Sequence, residues 1–181
     1  MKSTMTPEEL KACIRTIPDF PVPGIRFRDI TTLLKNGRAF RSAVDLLFQH
    51  AQKYPFNKVA GVEARGYIFA AALSYLSEAG LVIVRKKGKL PSKSIEVTYT
   101  LEYGTATLEV HEDGIESGDR VLIVDDLLAT GGTARATGEL IEKSGGIVAA
   151  YLFLIELVDL NGRTALPNAP VESIITFTES E

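Results

Sequence analysis

Residues 121–133 have the sequence Val-Leu-Ile-Val-Asp-Asp-Leu-Leu-Ala-Thr-Gly-Gly-Thr. The four consecutive apolar residues Val121–Val124 predict a buried strand. Two carboxylates follow, and a glycine-rich loop then opens a helix that we expect from about Thr133 to Lys143. A strand that leads through such a loop into a helix predicts a ligand site at the carboxyl end of the strand, where open α/β sheets bind their ligands.

The glycine-rich loop has the composition of a phosphate site. Backbone N–H groups of such a loop point into one concavity, and the following helix adds the positive end of its dipole. Gly131 and Gly132 let the backbone approach a ligand closely, and threonine hydroxyls beside them add donors. The predicted ligands of a 5-phosphate group are Ala129, Thr130, Gly131, Gly132 and Thr133.

The two carboxylates before the loop, Asp125 and Asp126, cannot be phosphate ligands. They can accept hydrogen bonds from vicinal sugar hydroxyls or hold the waters of a magnesium ion, so the stretch describes a ribose 5-phosphate site. The alternative is a strand and a capped helix with a purely structural role. Two adjacent carboxylates at the end of a buried strand would then reduce the stability of the fold without binding a ligand. Neither G-x-x-x-x-G-K-S/T nor G-x-G-x-x-G occurs, so a P-loop ATPase and a dinucleotide fold are not indicated.

The rest of the chain alternates between apolar strands and helices. Continuous apolar strands separated by helices predict an α/β fold, in which helices cover both faces of a mainly parallel, twisted sheet. The predicted strands are Lys58–Val62, Leu81–Val84, Val121–Val124 and Ile147–Leu154. The predicted helices run from a capping box at Thr6 to Ile17, from Arg38 to Lys53, from Tyr67 to Ala79 and from Thr133 to Lys143.

One segment has a different pattern. Residues 95–102 and 106–110 alternate apolar and polar side chains with period two, and Tyr103-Gly104 lies between them. This pattern predicts an antiparallel hairpin that projects from the parallel sheet. Spacing alone leaves open whether residues 92–110 form a structural flap or a flexible lid over a ligand.

Length and composition exclude several classes of protein. The 181 residues suit a single domain, 1–181, and 45% hydrophobic residues exclude a disordered or fibrous chain. No apolar run approaches the roughly 20 residues that span a bilayer, and Met1–Leu10 is polar, so we expect neither a membrane partner nor a secretory signal. A net charge of −3 argues against a nucleic-acid partner. The single cysteine, Cys13, fits a reducing cytoplasm.

Residues 121–133 resemble the signature of the type I phosphoribosyltransferases, whose shared substrate is 5-phosphoribosyl-1-pyrophosphate. Four more stretches, in the expected order, are similar to signatures of the adenine-specific branch. They are Phe20-Pro21-Val22-Pro23-Gly24-Ile25-Arg26-Phe27-Arg28-Asp29-Ile30, Glu63-Ala64-Arg65-Gly66, Arg85-Lys86-Lys87-Gly88-Lys89-Leu90-Pro91 and Leu101-Glu102-Tyr103-Gly104. The resemblance covers nearly the whole chain. It implies the type I fold, with residues 1–34 as a small N-terminal hood over the base, and purine salvage in which adenine becomes AMP with release of diphosphate.

The resemblance also implies where the purine binds. It assigns Phe27 to one face of the adenine ring and Leu127 to the other, and it assigns the purine edge to the backbone at Arg26 and Arg28. Arg26 departs from the small apolar residue of the family pattern, but a backbone contact would survive that change. Without the resemblance, Phe27 would be interpreted as an ordinary core aromatic.

Several basic residues could bind a diphosphate. Arg65 follows a predicted strand, where a guanidinium can hold a diphosphate through two hydrogen bonds. Residues 85–89 carry four basic side chains, which alone would also suit a solvated loop or a nucleic-acid patch. The resemblance implies that Arg65, Lys86 and Lys89 bind pyrophosphate, partly across a homodimer interface. It also implies a Mg²⁺ cofactor that is held mainly by the substrate and water.

The purine proton requires a group of its own. Enzymes for 6-oxopurines carry an aspartate within the phosphate loop, and Ala129 occupies the matching position. The resemblance implies Glu102, next to the lid residue Tyr103, as the catalytic acid–base. Three alternatives stay open, namely transfer to a 6-oxopurine or xanthine, a transcriptional regulator that only senses phosphoribosyl pyrophosphate, and a nucleotide-binding protein without turnover. Residues 1–19 are too few for a winged helix, which argues against the regulator.

Overall fold

The computed structural model describes residues 4–100 and 104–181, and the chain divides into two compact units, Met1–Leu46 and Leu47–Glu181. The elements in chain order are α1 (Pro7–Lys11), β1 (Arg15–Pro18), β2 (Arg26–Asp29), α2 (Thr31–Leu34), α3 (Gly37–Ala51), β3 (Lys58–Val62), α4 (Gly66–Ser77), β4 (Gly80–Lys86), β5 (Ser94–Thr100), β6 (Thr105–His111), β7 (Arg120–Leu128), α5 (Gly132–Lys143), β8 (Ile147–Leu157) and β9 (Val171–Phe177). Two 3₁₀ turns, Val158–Leu160 and Gly162–Ala165, lie between β8 and β9. In the described ranges, no helix is long and apolar enough to cross a bilayer.

The first helix is a short, capped turn. Glu9 N donates to Thr6 Oγ1 at 3.3 Å and Thr6 N donates to Glu9 Oε2 at 2.8 Å, which confirms the predicted capping box. The predicted extension of this helix to Ile17 is wrong, because α1 ends at Lys11 and a strand follows.

Interactions between distant residues explain the strand β1. It pairs antiparallel with β2, and Arg15 forms an ion pair with Asp29 across the two strands. The Arg15 hydrogen bond, followed by those from Thr31, lowers the pKa of Asp29 to about 2. Thr32 Oγ1 donates to Cys13 O at 2.7 Å and fixes the turn before β1. Local helix signals do not reveal these partners, which is why the sequence predicts too long a helix.

Seven strands of the second unit form one sheet in the order β5-β6-β4-β3-β7-β8-β9. The strands from β4 to β9 in that order are parallel, which confirms the predicted mainly parallel α/β fold. Most predicted elements of this unit end within three residues of the observed bounds. The exception is β7, which continues beyond Val124 to Leu128 because its pairing with β8 extends to Leu128↔Glu156.

Helices cover both faces of the sheet. A Cβ at Gly61 of β3 would lie 2.8 Å from Ala70 Cβ of α4, so this helix packs closely against one face. The neighbouring Ala60 belongs to the core cluster that includes Leu140 and Ile141 of α5. Since successive residues of a strand point to opposite faces, α4 and α5 cover opposite sides of β3.

The predicted hairpin forms one edge of this sheet. Strands β5 and β6 pair antiparallel over their full length, and β6 also pairs with β4, for example at Lys86↔Leu108. The hairpin is therefore continuous with the parallel strands. Residues 101–103 of the predicted hairpin lie outside the described residues. The roles of residues 92–110 as a lid and of residues 1–34 as a hood stay predictions.

Two strand-to-helix loops meet at the centre of the sheet. Strands β3 and β7 are parallel neighbours, in register from Lys58↔Val121 to Gly61↔Val124. The loops that follow them leave the same edge of the sheet and lead to helices on opposite faces. A crevice between two such loops is the usual ligand site of an open α/β sheet.

Candidate active site

A cavity of about 1000 Å³ lies at the carboxyl ends of the central strands. Its volume is at the upper end of the range for small-molecule sites, about 300–1,000 Å³. It is lined by the loop after β3, the end of β7, the loop into α5 and one side of the hairpin. Among the predicted site residues, the lining includes Arg65, Lys86, Asp125, Asp126, Leu127, Ala129, Thr130, Gly131, Gly132 and Thr133.

The predicted phosphate loop ends at the first turn of α5. Gly131 has φ +84°, a left-handed conformation that favours glycine, and the helix begins at Gly132. The first N–H groups of a helix have no acceptor within the helix, and its dipole adds positive potential at this end. Thr133 adds a hydroxyl to the cavity wall. Together these groups suit a phosphate dianion.

The 3₁₀ turn Gly162–Ala165 packs directly behind this loop. A Cβ at Gly131 would lie 2.5 Å from Gly162 O, so the two segments are in close contact. Arg163 holds the turn, because its Nε and Nη2 donate to Oε1 and Oε2 of Glu156 at 2.6 Å each. This hydrogen bond from Arg163 also lowers the pKa of Glu156. The sequence does not single out this support, since local pattern does not distinguish it from an ordinary surface ion pair.

Asp126 forms the ion pair at the centre of the site. Its Oδ2 lies 2.8 Å from Nε of Arg65, and the Asp126 side chain is only 5% exposed. Asp126 N donates to Asp125 Oδ1 at 2.8 Å, so the backbone helps to orient the Asp125 carboxylate at the cavity wall. The sequence predicts Arg65 as a diphosphate ligand, and the structure adds that Arg65 is the counter-charge of the aspartate pair.

Burial raises the pKa of both aspartates. For Asp125, desolvation acts together with the negative charge of Asp126 and raises the pKa well above its usual range. Desolvation also raises the pKa of Asp126, although the charge of Arg65 opposes this shift. A ligand that donates hydrogen bonds to these carboxylates, as a vicinal diol does, would stabilise their charged forms.

The loop after β3 is fixed against both neighbouring strands. A Cβ at Gly66 would lie 2.8 Å from Val124 O, so glycine lets α4 begin this close to β7. Glu63 Oε2 accepts a hydrogen bond from Lys86 N at 2.9 Å, and Arg85 Nε lies 3.4 Å from the same oxygen. The bond from Lys86 N is the main reason that the pKa of Glu63 is lowered. The ionised Glu63 thus ties this loop to the end of β4.

The structure separates the basic residues of 85–89 by their partners. Arg85 and Lys87 form ion pairs with Glu63 and Glu96 respectively. Lys86 lines the cavity. This arrangement favours Lys86 over its immediate neighbours as a ligand for an anion in the cavity, a choice that the sequence leaves open.

A buried carboxylate organises the backbone of the same basic loop. Glu109 of β6, which is 3% exposed, accepts hydrogen bonds at 2.8 Å from the backbone N–H groups of Lys89 and Leu90. Burial opposes the charged form of Glu109, but the backbone bonds outweigh this effect and lower its pKa. The role of the Lys89 side chain in diphosphate binding stays a prediction.

Tyr99 of β5 lines the cavity and is not singled out by the sequence. Its hydroxyl oxygen lies 3.1 Å from Thr133 Oγ1, so the hairpin reaches the phosphate loop. The hairpin alternation is the signal that could have found it, because Tyr99 shares a face of β5 with the buried Val97.

The predicted purine ligands of the first unit lie on β2. The Phe27 ring makes an edge-to-face contact with Phe20, with ring centroids 5.2 Å apart. Arg26 is exposed, whereas Arg28 is buried and donates from Nη1 to Thr16 Oγ1 at 2.6 Å. The contacts of these residues with a base stay predictions.

Two further assignments concern groups that the structure does not place. Glu102 and Tyr103 lie outside the described residues, so their catalytic and lid roles stay predictions. Within residues 4–100 and 104–181, no cluster of three or more His, Cys, Asp and Glu side chains could hold a metal ion. Asp125 and Asp126 offer carboxylate oxygens, the ligand type that Mg²⁺ accepts, so an ion here would take further ligands from substrate and water.

Three chemical functions therefore surround one cavity. The first turn of α5 suits a phosphate, the aspartate pair suits a diol, and Arg65 with Lys86 suits a second anion. A ribose ring that carries a phosphate at one end and a second anionic group at the other matches all three.

Comparisons with known proteins agree with this chemistry. Residues 29–177 match the family model for the phosphoribosyl transferase domain. The chain is 52% identical over 173 residues to the adenine phosphoribosyltransferase of Chloroflexus aurantiacus, which covers 96% of this chain and 100% of that protein. Its structure is similar to that of adenine phosphoribosyltransferase from Thermoanaerobacter pseudethanolicus (TM-score 0.93, 48% identity, 95% of this chain and 100% of that chain). It is also similar to the Saccharomyces cerevisiae enzyme complexed with D-2,5-dideoxy-2,5-imino-altritol 1,6-bisphosphate and adenine (TM-score 0.89, 37% identity, 93% of this chain and 97% of that chain).

Gly132→Ala is expected to weaken phosphate binding without damage to the fold. The nearest atoms to a Cβ at Gly132 are ring carbons of Tyr99 at 3.8 and 3.9 Å, an ordinary contact, so the melting temperature should stay close to that of the parent. The added methyl group would occupy space over the loop backbone, and the Kd for ribose 5-phosphate should rise about tenfold or more, as expected for an interaction worth roughly 1.4 kcal/mol. Calorimetric titration and thermal unfolding measure the two effects.

Gly131→Ala provides the contrasting variant. Here the φ of +84° and the collision with Gly162 O predict a lower melting temperature. An unchanged Kd in Gly132→Ala, with a folded protein, would mean that the phosphate binds elsewhere.

Asp125→Asn is expected to stabilise the folded protein while it weakens ligand binding. The pKa of Asp125 is raised in the folded protein above its ordinary 3.8. The free energy of unfolding therefore falls as the pH rises from 3.8 to the raised pKa of the folded state. The asparagine removes this penalty, so the melting temperature should be higher than that of the parent at pH 7 but not at pH 3. Asp113→Asn replaces an exposed carboxylate and serves as the control, so it should leave the melting temperature unchanged at both pH values. A lower melting temperature of Asp125→Asn at pH 7 would contradict the inference that the ionised Asp125 destabilises the folded protein.

Proposed function

This chain belongs to the phosphoribosyltransferase family, and from that premise we propose that it transfers the 5-phosphoribosyl group of phosphoribosyl pyrophosphate to adenine, which gives AMP and diphosphate. The observation that carries the proposal is the single cavity that joins the N-terminus of α5, the Asp125–Asp126 pair and Arg65. These groups match the 5-phosphate, the 2- and 3-hydroxyls and the diphosphate of that substrate. Relatives that are about half identical over nearly the whole chain are adenine phosphoribosyltransferases, which supports adenine as the acceptor.

Each part of the cavity has a separate task in the reaction. The loop 129–133 holds the 5-phosphate and so fixes one end of the ribose. Asp125 and Asp126 accept hydrogen bonds from the ribose hydroxyls, which places the anomeric carbon between the two anionic ends. As the bond to diphosphate breaks, positive charge develops on the ribose ring, and the buried negative charge of the aspartate pair stabilises it.

The leaving diphosphate needs positive charge that is already in place. Arg65 supplies a guanidinium whose position is set by its ion pair with Asp126, and Lys86, which also lines the cavity, supplies a second cation. We propose that Mg²⁺ reaches the site with the substrate, where it would neutralise diphosphate charge. The aspartate carboxylates can hold its waters, which agrees with the donor types on the cavity wall.

The proposal for adenine rests on two further features of the chain. Ala129 lies where enzymes for 6-oxopurines carry an aspartate, so the loop offers no acid for the proton of a 6-oxopurine. Phe27 and Leu127 are proposed to hold the two faces of the ring, with the backbone at Arg26 and Arg28 at its polar edge. Backbone groups cannot rotate to suit a different base, so a site of this kind discriminates strongly between an amino group and an oxo group.

An exposed apolar stripe supports the proposed homodimer. Along α4, the side chains of Ile68, Ala71, Tyr75 and Leu76 recur at helical spacing on the solvent side, and Tyr75 is 83% exposed. A second copy of the chain that covers this stripe would bring its own surface close to the loop that starts α4. The single cysteine, Cys13, supports the proposed cytoplasmic location, since reducing compartments leave thiols unpaired.

A panel of bases with phosphoribosyl pyrophosphate and Mg²⁺ tests the function directly. We expect kcat/KM for adenine to exceed that for hypoxanthine, guanine and xanthine by a factor on the order of 10⁴, because the wrong base leaves a buried polar group unpaired. Diphosphate release measures the rates. Comparable values for adenine and a 6-oxopurine would contradict the proposal, and tight substrate binding without turnover of any base would favour the sensing regulator.

Glu102→Gln tests the proposed proton transfer. If Glu102 moves the purine proton, its interaction strengthens as the nitrogen attacks, so kcat should fall by roughly 10²–10⁴ with little change in KM. The matched control is Glu96→Gln on β5, an exposed carboxylate that pairs with Lys87 and should leave kcat near the parent value. Single-turnover kinetics isolates the chemical step from product release. A fall of less than about threefold would remove the role of Glu102 and favour proton transfer through water.

A further inference from the structure

A hydrogen bond connects Tyr99 of the hairpin to the phosphate loop, and the tyrosine ring lies beside Gly132. Its hydroxyl oxygen lies 3.1 Å from Thr133 Oγ1, and its ring carbons lie 3.8 and 3.9 Å from the position of a Cβ on Gly132. Tyr99 and Thr133 both line the cavity. The phenol therefore stands beside the first turn of α5, where the 5-phosphate is proposed to bind.

The hydrogen-bonding capacity of Thr133 decides what this contact can do. A threonine hydroxyl has one hydrogen to donate and two lone pairs that can accept. The backbone carbonyl of Thr133 already accepts a bond from Thr137 Oγ1 at 2.9 Å, as helix residues commonly do. If Tyr99 donates to Thr133 Oγ1, the hydrogen of Thr133 is left to point into the cavity. The opposite direction would leave only lone pairs to face a phosphate, which is electrostatically unfavourable.

We propose that Tyr99 is a positioning residue that orients the Thr133 hydroxyl so that it donates to the 5-phosphate. The chain of bonds runs from the Tyr99 O–H to Thr133 Oγ1 and from the Thr133 O–H to a phosphate oxygen, and such chains strengthen each of their members. This inference rests on the proposed function, because it requires a phosphate at the N-terminus of α5. It extends the site to the hairpin strand, which the phosphate-loop sequence does not include.

Tyr99→Phe removes the phenol oxygen and keeps the ring that covers Gly132. We expect the Kd for AMP to rise about three- to tenfold, the usual effect of one lost hydrogen bond, while the Kd for adenosine stays unchanged because adenosine has no phosphate. The melting temperature should remain close to that of the parent. Tyr54→Phe is the matched control, since it also loses a hydroxyl bond, to Glu172 at 2.6 Å, but Tyr54 does not line the cavity. Its Kd for AMP should equal that of the parent.

A double-mutant cycle separates positioning from direct contact. Thr133→Val keeps the shape of the side chain and removes its hydroxyl, so Tyr99→Phe in that background should have no further effect on the Kd for AMP. If the effect of Tyr99→Phe persists unchanged in Thr133→Val, the phenol acts independently of Thr133 and the proposal is overturned. An unchanged Kd for AMP in Tyr99→Phe alone overturns it as well. A parent protein that binds adenosine but gains nothing from the phosphate of AMP would overturn the proposed function itself, and with it this inference.

Discussion

Strands β3 and β7 pair in parallel, and this pairing positions both loops of the candidate site. Because parallel strands end at the same edge of a sheet, this pairing brings the loop with Arg65 beside the loop that leads into α5. Their helices cover opposite faces, so a crevice opens between the two loops. Gly66 lets the first loop approach Val124 O of β7, and Gly131 lets the second approach Gly162 O of the 3₁₀ turn after β8.

Carboxylates serve two opposite purposes around this crevice. Glu63, Glu109 and Glu156 accept hydrogen bonds from backbone N–H groups or a guanidinium, which lower their pKa values and keep them ionised as supports of the loops. Asp125 and Asp126 instead have raised pKa values, because burial raises them more than the positive charge of Arg65 lowers them. The supports are thus satisfied within the protein, whereas the aspartate pair gains most from a ligand. This division is typical of a binding site that sacrifices some stability for function.

Much of the fold could be predicted because its signals are local. The apolar runs of β3, β4 and β8, the alternation of the hairpin and the capping box of α1 each depend on neighbouring residues. The errors arose where distant partners intervene. The ion pair Arg15–Asp29 joins β1 to β2, so a strand forms where the sequence predicts the end of a helix. Pairing with β8 extends β7 beyond Val124 through two charged residues. Such partners lie far apart in sequence and become neighbours only in the folded chain.

The chemistry of the candidate site could be predicted from sequence, since Asp125, Asp126 and the loop 129–133 are contiguous and their residue types suit a phosphorylated ribose. Which residues of other elements lie beside them is visible only in the folded chain. The fold places Lys86 at the cavity wall while Arg85 and Lys87 form ion pairs with glutamates. It also sets Glu109 and Arg163 behind the loops as supports and brings Tyr99 to Thr133. The physical reason is that these contacts cross between strands and loops. Periodicity reports which face of an element is buried, but it does not report which residue of another element lies opposite.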